Sequence, residues 1–415
     1  MHTFASRIHR SIRFVLFNSF LALMATMALP SNGRAQSGNT ATDGFTPEGL
    51  KTGAPAGSFQ LSGFDNINYF NGNLNFSLPL LGIGGRGSAA VGIPLRIEHK
   101  WRVIRTPHPG GPGFGYVNTP EPNNWQSIDP GYGPGILIGR SGGEMPQSCN
   151  VQQGQYDALM RLTFTAGDGT EYELRDVSSN NGNSATTYYS YCSVGFSPNR
   201  GKIFVSADGN AVTFISDVDI YDSDGAFLSQ IFPSGYMLMA DGSRYRIENG
   251  LVTWIRDRNG NKVSFGYGSG GVTSITDSLN RQVTIAYLYN GSQYYDVITY
   301  KGFDGTTRTI TVWHKLLSQT LRSGYSQQTF AQLFPELNGS SATLYEEWVV
   351  SSVDLPDGRT YQFKYNPYGE LARVELPTGG AIEYDYLAGI VGGAASGTYG
   401  GGGQFIDKQI YRRVS

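Results

Sequence analysis

The sequence predicts an all-β fold in which consecutive antiparallel β-hairpin repeats form one extended, spiralling sheet. Three observations predict it. Glycine and proline are abundant, at 56 and 19 residues, and tyrosine and phenylalanine contribute 26 and 22, whereas only 15% of side chains are charged. Glycine and proline set turns, and aromatic side chains suit a pleated surface. One short unit then recurs: a turn pair, one or two linking residues, and an alternation of apolar with polar side chains. Its clearest copies sit 20 or 21 residues apart, about the length of one hairpin.

From the amino terminus, Arg7, Arg10 and Arg13 precede an apolar run from Phe14 to Leu29, and Gly33-Arg34-Ala35 follows. This reads as a secretory signal over residues 1–35, cut after Ala35. Broken by Asn18 and Ser19, the run is short of the about 20 apolar residues that span a bilayer, so no membrane span is expected after cleavage. The destination is extracellular or the cell surface. Residues 36–57 form a polar, flexible leader, and 58–233 an irregular β-rich region.

Removing the four arginines of the first 35 residues leaves 27 basic against 33 acidic side chains, a formal charge of −6. Such a surface repels nucleic acid, which is excluded as a partner. Cys149 and Cys192 are the only cysteines, and an oxidising compartment favours a disulfide between them. Closing that loop stabilises a fold by about 4 kcal/mol in the chain-entropy model.

Residues 234–388 carry the clearest repeats. Asp357-Gly358 leads into Tyr361, Phe363 and Tyr365 on one strand face, and Thr378-Gly379-Gly380 leads into Ile382, Tyr384 and Tyr386. Asn259-Gly260 precedes Val263, Phe265 and Tyr267, and Leu279-Asn280 precedes Val283, Ile285 and Tyr287. Weaker copies are Asp241-Gly242 before Tyr245 and Ile247, Asp304-Gly305 before Ile310, Asp168-Gly169 before Tyr172, and Asp208-Gly209 before Val212. Asp-Gly and Asn-Gly pairs suit the positive φ angles of tight hairpin turns. A lone hairpin is marginal in water, so the repeats are expected to pair with their neighbours. Leu316 to Gly339 reads as a short helix or a long insertion. Residues 389–404 read as a glycine-rich loop, and 405–415 as the start of a further, incomplete repeat.

The spacing, the terminal tyrosines and the Tyr384-Asp385-Tyr386 ending resemble the YD repeats of RHS proteins over Asp241 to Tyr386. Nearer the front, Tyr69 to Leu80 resembles the segment that opens the β-rich part of exported RHS proteins, with Gly84-Gly85-Arg86-Gly87 as its turn and Ile93 to Trp101 as the strand completing the pair. The resemblance implies a spiral shell that encloses or presents a carboxy-terminal toxin or effector, the expected partner. Since the family's core and toxin regions have no counterpart before Ser415, it also implies that the chain is a fragment, a truncated product or one piece of a split assembly. Related repeats in animal cell-surface proteins serve adhesion.

No enzyme is expected, and no cofactor or metal. Gly139-Arg140-Ser141-Gly142-Gly143 fits a nucleophile elbow, but Glu144-Met145-Pro146 follows where a helix is needed. Gly82 to Gly87 fits a phosphate cradle, yet the residues after it read as strand, which favours a hairpin turn. After signal removal His99, His108 and His314 are too dispersed for a zinc cluster, and Asp217, Asp219, Asp222 and Asp224 lack the spacing of a calcium loop. Trp101, Trp125, Trp254, Trp313 and Trp348, with exposed tyrosines, raise a second reading: a carbohydrate-binding or cell-contact adhesin with a surface glycan as ligand. Filling the inner face of the sheet is their competing use.

Overall fold

The computed structural model describes residues 58–60, 64–68, 74–84, 90–99, 101–107, 116–122, 132–149, 153–167, 170–177, 188–191, 199–206, 211–221, 230–337, 339–387, 390–391, 408–411 and 414. Nearly all secondary structure among them is antiparallel strand. The signal, the leader, Cys192 and most of the glycine-rich loop lie outside the described residues, and so does the expected disulfide.

β1 (Ser58–Gln60), β2 (Asp65–Asn68), β3 (Leu74–Ile83) and β4 (Val91–Ile97) pair in that order. Leu74, Phe76, Leu78, Ile93 and Leu95 alternate with less buried neighbours, which gives this sheet one apolar face. The strand expected from Ile93 to Trp101 stops at Ile97, because Glu98 and His99 leave the ladder. Trp101 instead opens β5 (Trp101–Pro107), which pairs with β6 (Tyr116–Pro122) in a separate sheet.

The large sheet begins with β7 (Gly135–Cys149), β8 (Gln153–Ala166), β9 (Glu171–Asp176), β10 (Tyr188–Tyr191), β11 (Asn199–Ser206) and β12 (Thr213–Tyr221). It continues through β13 (Gln230–Ile231), β14 (Gly235–Leu238), β15 (Arg244–Glu248), β16 (Leu251–Arg256), β17 (Lys262–Gly268) and β18 (Gly271–Thr276). It ends with β19 (Gln282–Tyr289), β20 (Tyr294–Lys301), β21 (Thr307–Leu316), β22 (Trp348–Asp354), β23 (Thr360–Tyr365), β24 (Leu371–Glu375) and β25 (Ala381–Glu383). From β14 to β25 every strand pairs with the next, as the hairpin repeats require.

Eight of these strands close into a barrel that the repeat pattern did not disclose. The ring runs β7, β8, β9, β11, β12, β14, β15, β16 and returns to β7, where Leu251 faces Ile136 and the Leu137 N–H donates to the Gly250 carbonyl at 2.8 Å. Leu137, Leu162, Phe164, Leu174, Phe204, Phe214, Met237, Ile247 and Val252 are fully buried on these strands. They make a packed core, as eight strands leave room for side chains and little more. The ring takes strands from both sides of residue 233, so the front region and the first repeats share that core.

Beyond the barrel the sheet is covered on its apolar face by the β1–β4 sheet. Phe76 meets Phe363 edge-on at 5.7 Å, Phe64 meets Tyr361 at 6.3 Å, and the Tyr384 hydroxyl donates to the buried Asp65 carboxylate at 2.5 Å. β26 (Ile390–Val391) and β27 (Lys408–Tyr411) do not extend the repeats. β27 adds to β26 and to the edge of β5, opposite Trp101, Arg102 and Val103, so the segment expected to begin a further repeat joins another sheet.

Seven turns share one pattern: Met239–Ser243, Asp257–Asn261, Asp277–Arg281, Gly302–Thr306, Leu355–Arg359, Asn366–Glu370 and Leu376–Gly380. In each, the fourth N–H donates to the first carbonyl and the first N–H to the fifth carbonyl. The fourth residue (glycine, or Asn280) alone has a positive φ. That is a type I turn followed by a left-handed bulge residue, a three-residue loop, and not the two-residue turn that the Asp-Gly pairs suggested. Side chains reinforce it: Asp241, Asp304 and Asp357 each accept from the N–H two residues on, and Asp257, Asp277 and Asn366 each accept two backbone N–H groups. The two-residue form, with both φ angles positive, occurs at Asn249-Gly250. Asp168-Gly169 and Asp208-Gly209 lie outside the described residues.

The repeat tyrosines do more than fill space. Tyr267 donates its hydroxyl to the Val252 carbonyl at 2.7 Å, Tyr287 to Val272 at 2.9 Å, Tyr365 to Val350 at 2.6 Å and Tyr386 to Leu371 at 2.8 Å. Each bond spans 15 residues. Each carbonyl lies two residues outside the end of the registered ladder, at Trp254↔Ser264, Ser274↔Thr284, Ser352↔Gln362 and Arg373↔Glu383. There the strands separate, and the phenol supplies the donor that the next strand no longer offers. Tyr245 packs edge-on against Phe164 at 6.0 Å in the barrel.

Candidate functional site

The strand ends from β14 to β25 form two unlike rims. One rim carries six of the seven identical turns, at 239–243, 257–261, 277–281, 302–306, 355–359 and 376–380. The other carries Asn249-Gly250, Ser269-Gly270, the 290–293 loop, a 31-residue insertion from Leu317 to Glu347, and the Asn366–Glu370 turn. Function concentrates on varied loops held by a regular scaffold, which directs attention to the second rim.

The short helix and the long insertion expected from Leu316 to Gly339 occur together: the insertion runs on to Glu347 and contains the helix α1 at Phe330–Leu333, and it opens on a 3₁₀ turn at Leu317–Gln319 that was not expected. Thr329 caps α1 by accepting from the Gln332 N–H at 3.2 Å, and the Gln332 side chain accepts from the Thr329 N–H at 2.9 Å. Backbone bonds at 2.8 and 3.0 Å tie Arg322 and Thr320 to Tyr365. The aromatic seat is Trp101, whose ring lies 4.7 Å from Phe334, 4.8 Å from Tyr345 and 6.0 Å from Phe330, while its indole N–H donates to the Tyr368 carbonyl at 3.0 Å.

Beside Trp101 sits a buried polar cluster. His99 Nδ1 is 3.3 Å from Glu347 Oε1, and His99 Nε2 is 3.3 Å from the Tyr345 hydroxyl. Burial lowers the His99 pKa to about 4 against the opposing pull of Glu370. Burial likewise raises Glu347 to about 7, with Tyr345 opposing and Glu346 adding to the rise. It also holds the Tyr345 phenol protonated, well above its ordinary range. The His99–Glu347 contact is therefore not an ion pair at neutral pH, since the imidazole is neutral there. Carboxylate, imidazole and hydroxyl stand in the order of a proton relay, but Tyr345 is 2% exposed and walled by Trp101 and Phe330. That placement suits fastening the insertion better than attacking a substrate.

The cluster predicts opposed pH slopes. Glu347, raised in the fold, contributes stability that is full below pH 4.5 and lost as pH rises through about 7; His99, lowered, contributes stability that is full above pH 6.5 and lost as pH falls through about 4. In the wild-type protein the slopes offset one another. The expected result is that His99→Gln loses about 2–3 kcal/mol of stability between pH 4.5 and 7, whereas Glu347→Gln gains a similar amount between pH 4 and 6.5. Urea titrations at each pH read both slopes.

On the solvent side of the same rim, three aromatic rings touch in the open. Tyr289 and Tyr294 face each other across β19 and β20 with centroids 4.7 Å apart, and Trp348, the first residue after Glu347, meets Tyr294 edge-on at 4.9 Å. Their exposures are 54%, 47% and 39%.

The remaining sequence candidates scatter. Ser141 lies within β7 opposite Met160, so strand runs straight through the position where an elbow would turn into a helix. Gly82 and Gly84 belong to the β3–β4 hairpin, and Gly85 to Gly87 lie outside the described residues. His314 contacts Asp296 at 2.8 Å, and Tyr132 donates to the same carboxyl at 3.0 Å. Asp217 is gripped by both Arg246 amines at 2.8 Å, and Asp219 accepts from Asn199 at 3.0 Å; Asp222, Asp224, His108 and Trp125 lie outside the described residues. Trp101 is buried, Trp254 lies under Arg256 and Lys262, and Trp313 stacks on Tyr295. Sequence reasoning missed His99 with Glu347, and Tyr289 with Tyr294. The one available signal was the break in the 20-residue period between Leu316 and Trp348.

Among the described residues no helix is long and apolar enough to cross a membrane. No protein-family model matches the chain, and no curated protein sequence matches it.

Proposed function

We propose that this chain is an exported structural repeat protein: part of an RHS-type β-wall that encloses or presents a carboxy-terminal effector. The observation that carries the reading is the repetition of one joint. Four hairpins bond back to their predecessors through the same tyrosine-to-carbonyl contact, and seven turns share one geometry. Repeats joined in this way propagate a sheet, with stability shared between neighbours. The apolar side of that sheet already holds the β1–β4 hairpins, which is how a wall would treat enclosed chain. No reaction is proposed for it.

The test is to express this chain with the coding sequence that follows it in its gene and to digest the product with a nonspecific protease. The following segment should resist digestion many times longer than when expressed alone. A gene ending at Ser415, or a following segment cleaved equally fast in both forms, contradicts the reading.

A further inference from the structure

We propose that the outward face of β12, β14, β15, β16 and β17 docks on an anionic phospholipid surface, with Ile215 and Tyr236 entering the headgroup layer and Arg244, Arg256 and Lys262 meeting lipid phosphates. The wall reading neither requires nor supplies this contact.

Two rows of side chains cross these strands on the side away from the core, since Met237, Ile247 and Val263 fill the core side. In the first row Arg244 faces Arg256 and Arg256 faces Lys262, each as a directly registered pair. Like charges directly opposite destabilise a sheet, and Arg256 has one on either side. Neighbouring strands stand about 4.8 Å apart, so the three charges lie within about 10 Å, roughly one screening length. Among the described residues none of the three forms an ion pair, because Arg246 takes both Asp217 and Glu248. Asp257, next to Arg256 in sequence, turns into its own loop and accepts from the Asn259 and Asn261 N–H groups. What the cations share is the Trp254 ring, with Arg256 at 5.5 Å and Lys262 at 5.3 Å from its centroid. A chain with more acidic than basic side chains thus gathers cations on one face at a cost to its own stability.

The second row sets apolar surface beside them. Ile215 faces Tyr236, Tyr236 faces Arg246, and Arg246 faces Trp254. Ile215 and Tyr236 are 39% and 41% exposed, and Ile203, registered against Ile215 on its other side, is 43% exposed. The Arg246 guanidinium lies over the Tyr236 ring at 4.9 Å, and that ring meets Trp254 at 6.0 Å. Aliphatic and amphipathic aromatic side chains beside long-stemmed Lys and Arg suit the boundary between headgroups and acyl chains. A fluid array of phosphates satisfies cations at any spacing, whereas an acidic protein would need carboxylates matched to a row one strand apart. A nucleic acid would satisfy the cations and leave Ile203 and Ile215 in water.

The test is flotation of the mature full-length chain with vesicles of phosphatidylcholine, alone or mixed with phosphatidylglycerol. The mixed vesicles should carry the protein at low salt, and the bound fraction should fall as salt rises. Arg256→Gln with Lys262→Gln should weaken partitioning by at least about tenfold, and Ile215→Thr with Tyr236→Thr by about threefold or more. Lys301→Gln with Arg308→Gln, which removes two exposed cations from β20 and β21, should leave it within about twofold of wild type. The Arg256 and Lys262 glutamine pair relieves repulsion, so its urea midpoint should match or exceed that of wild type, and Arg256→Lys with Lys262→Arg should partition like wild type. The proposal is overturned if the mixed vesicles leave the chain in solution, whether or not it binds a DNA duplex, or if phosphatidylcholine alone carries it equally well. It is also overturned if the β20–β21 variant loses as much as the glutamine pair, or if the glutamine pair or the threonine pair partitions like wild type.

Discussion

Replacing Trp101 with alanine is expected to cost about 3–5 kcal/mol, the range for deleting a large buried aromatic. Trp101 is 1% exposed and touches Phe330, Phe334, Tyr345 and His99. It joins parts of the chain more than 200 residues apart, since β5 supplies the indole and the insertion supplies most of its neighbours. The cavity left behind adjoins His99 and Glu347, so water reaches the cluster and both groups move back toward their ordinary pKa values. The Trp101→Ala protein should therefore show a lower urea midpoint. It should also show faster proteolysis between Leu317 and Glu347 than between β17 and β20. An unchanged digestion pattern would mean that the insertion is held by its backbone bonds alone.

Gly235→Ala is the second large effect, expected to destabilise by about 3 kcal/mol or more. A methyl group at Gly235 would stand inside 3.0 Å of the Ile215 carbonyl oxygen and of two Phe214 ring carbons. The carbonyl belongs to the neighbouring strand of the barrel and cannot rotate away. Phe214 is itself fully buried against Phe204 and Met237. Accommodating the methyl requires β12 and β14 to part, which opens the ring where the front region meets the first repeats. A Gly242→Ala control adds a methyl with only an ordinary contact, to Arg258, and pays the strain of φ +82° alone. That control should lose only about 1 kcal/mol by the same urea titration.

These effects show which parts of the molecule were legible in the sequence. Alternation along Tyr361, Phe363 and Tyr365 was readable because side-chain direction in a strand depends on the immediate neighbours. The glycine turns were readable for the same reason, although the number of residues in the loop was not. The pair Asp357-Gly358 serves a two-residue or a three-residue turn, and the register of β22 against β23 decides between them. Barrel closure was not readable. It depends on Ile136 meeting Leu251, a contact between segments that carry no matching pattern. The tyrosine hydroxyls were hidden until the ladder ends were known, because the acceptor carbonyl belongs to the preceding hairpin.

The rim was less legible still. Trp101 and Trp348 are identical in type, yet one closes a core and the other stands in solvent, a difference set by where each falls on its strand. His99 gave no signal, since its partner Glu347 arrives from the insertion about 250 residues later. Only the interruption of the period after Leu316 marked the place where the scaffold departs from its repeat.

Native-state hydrogen exchange on the wild-type chain and on Tyr287→Phe is the most direct measurement of whether the repeats form one joined wall. Loss of the 2.9 Å bond from Tyr287 to Val272 should cost about 1 kcal/mol and speed exchange in β18 and β19 together with the adjoining strands β17 and β20. Acceleration confined to residues beside Tyr287, or hairpins from β14 to β25 that exchange independently in the wild-type chain, would contradict it.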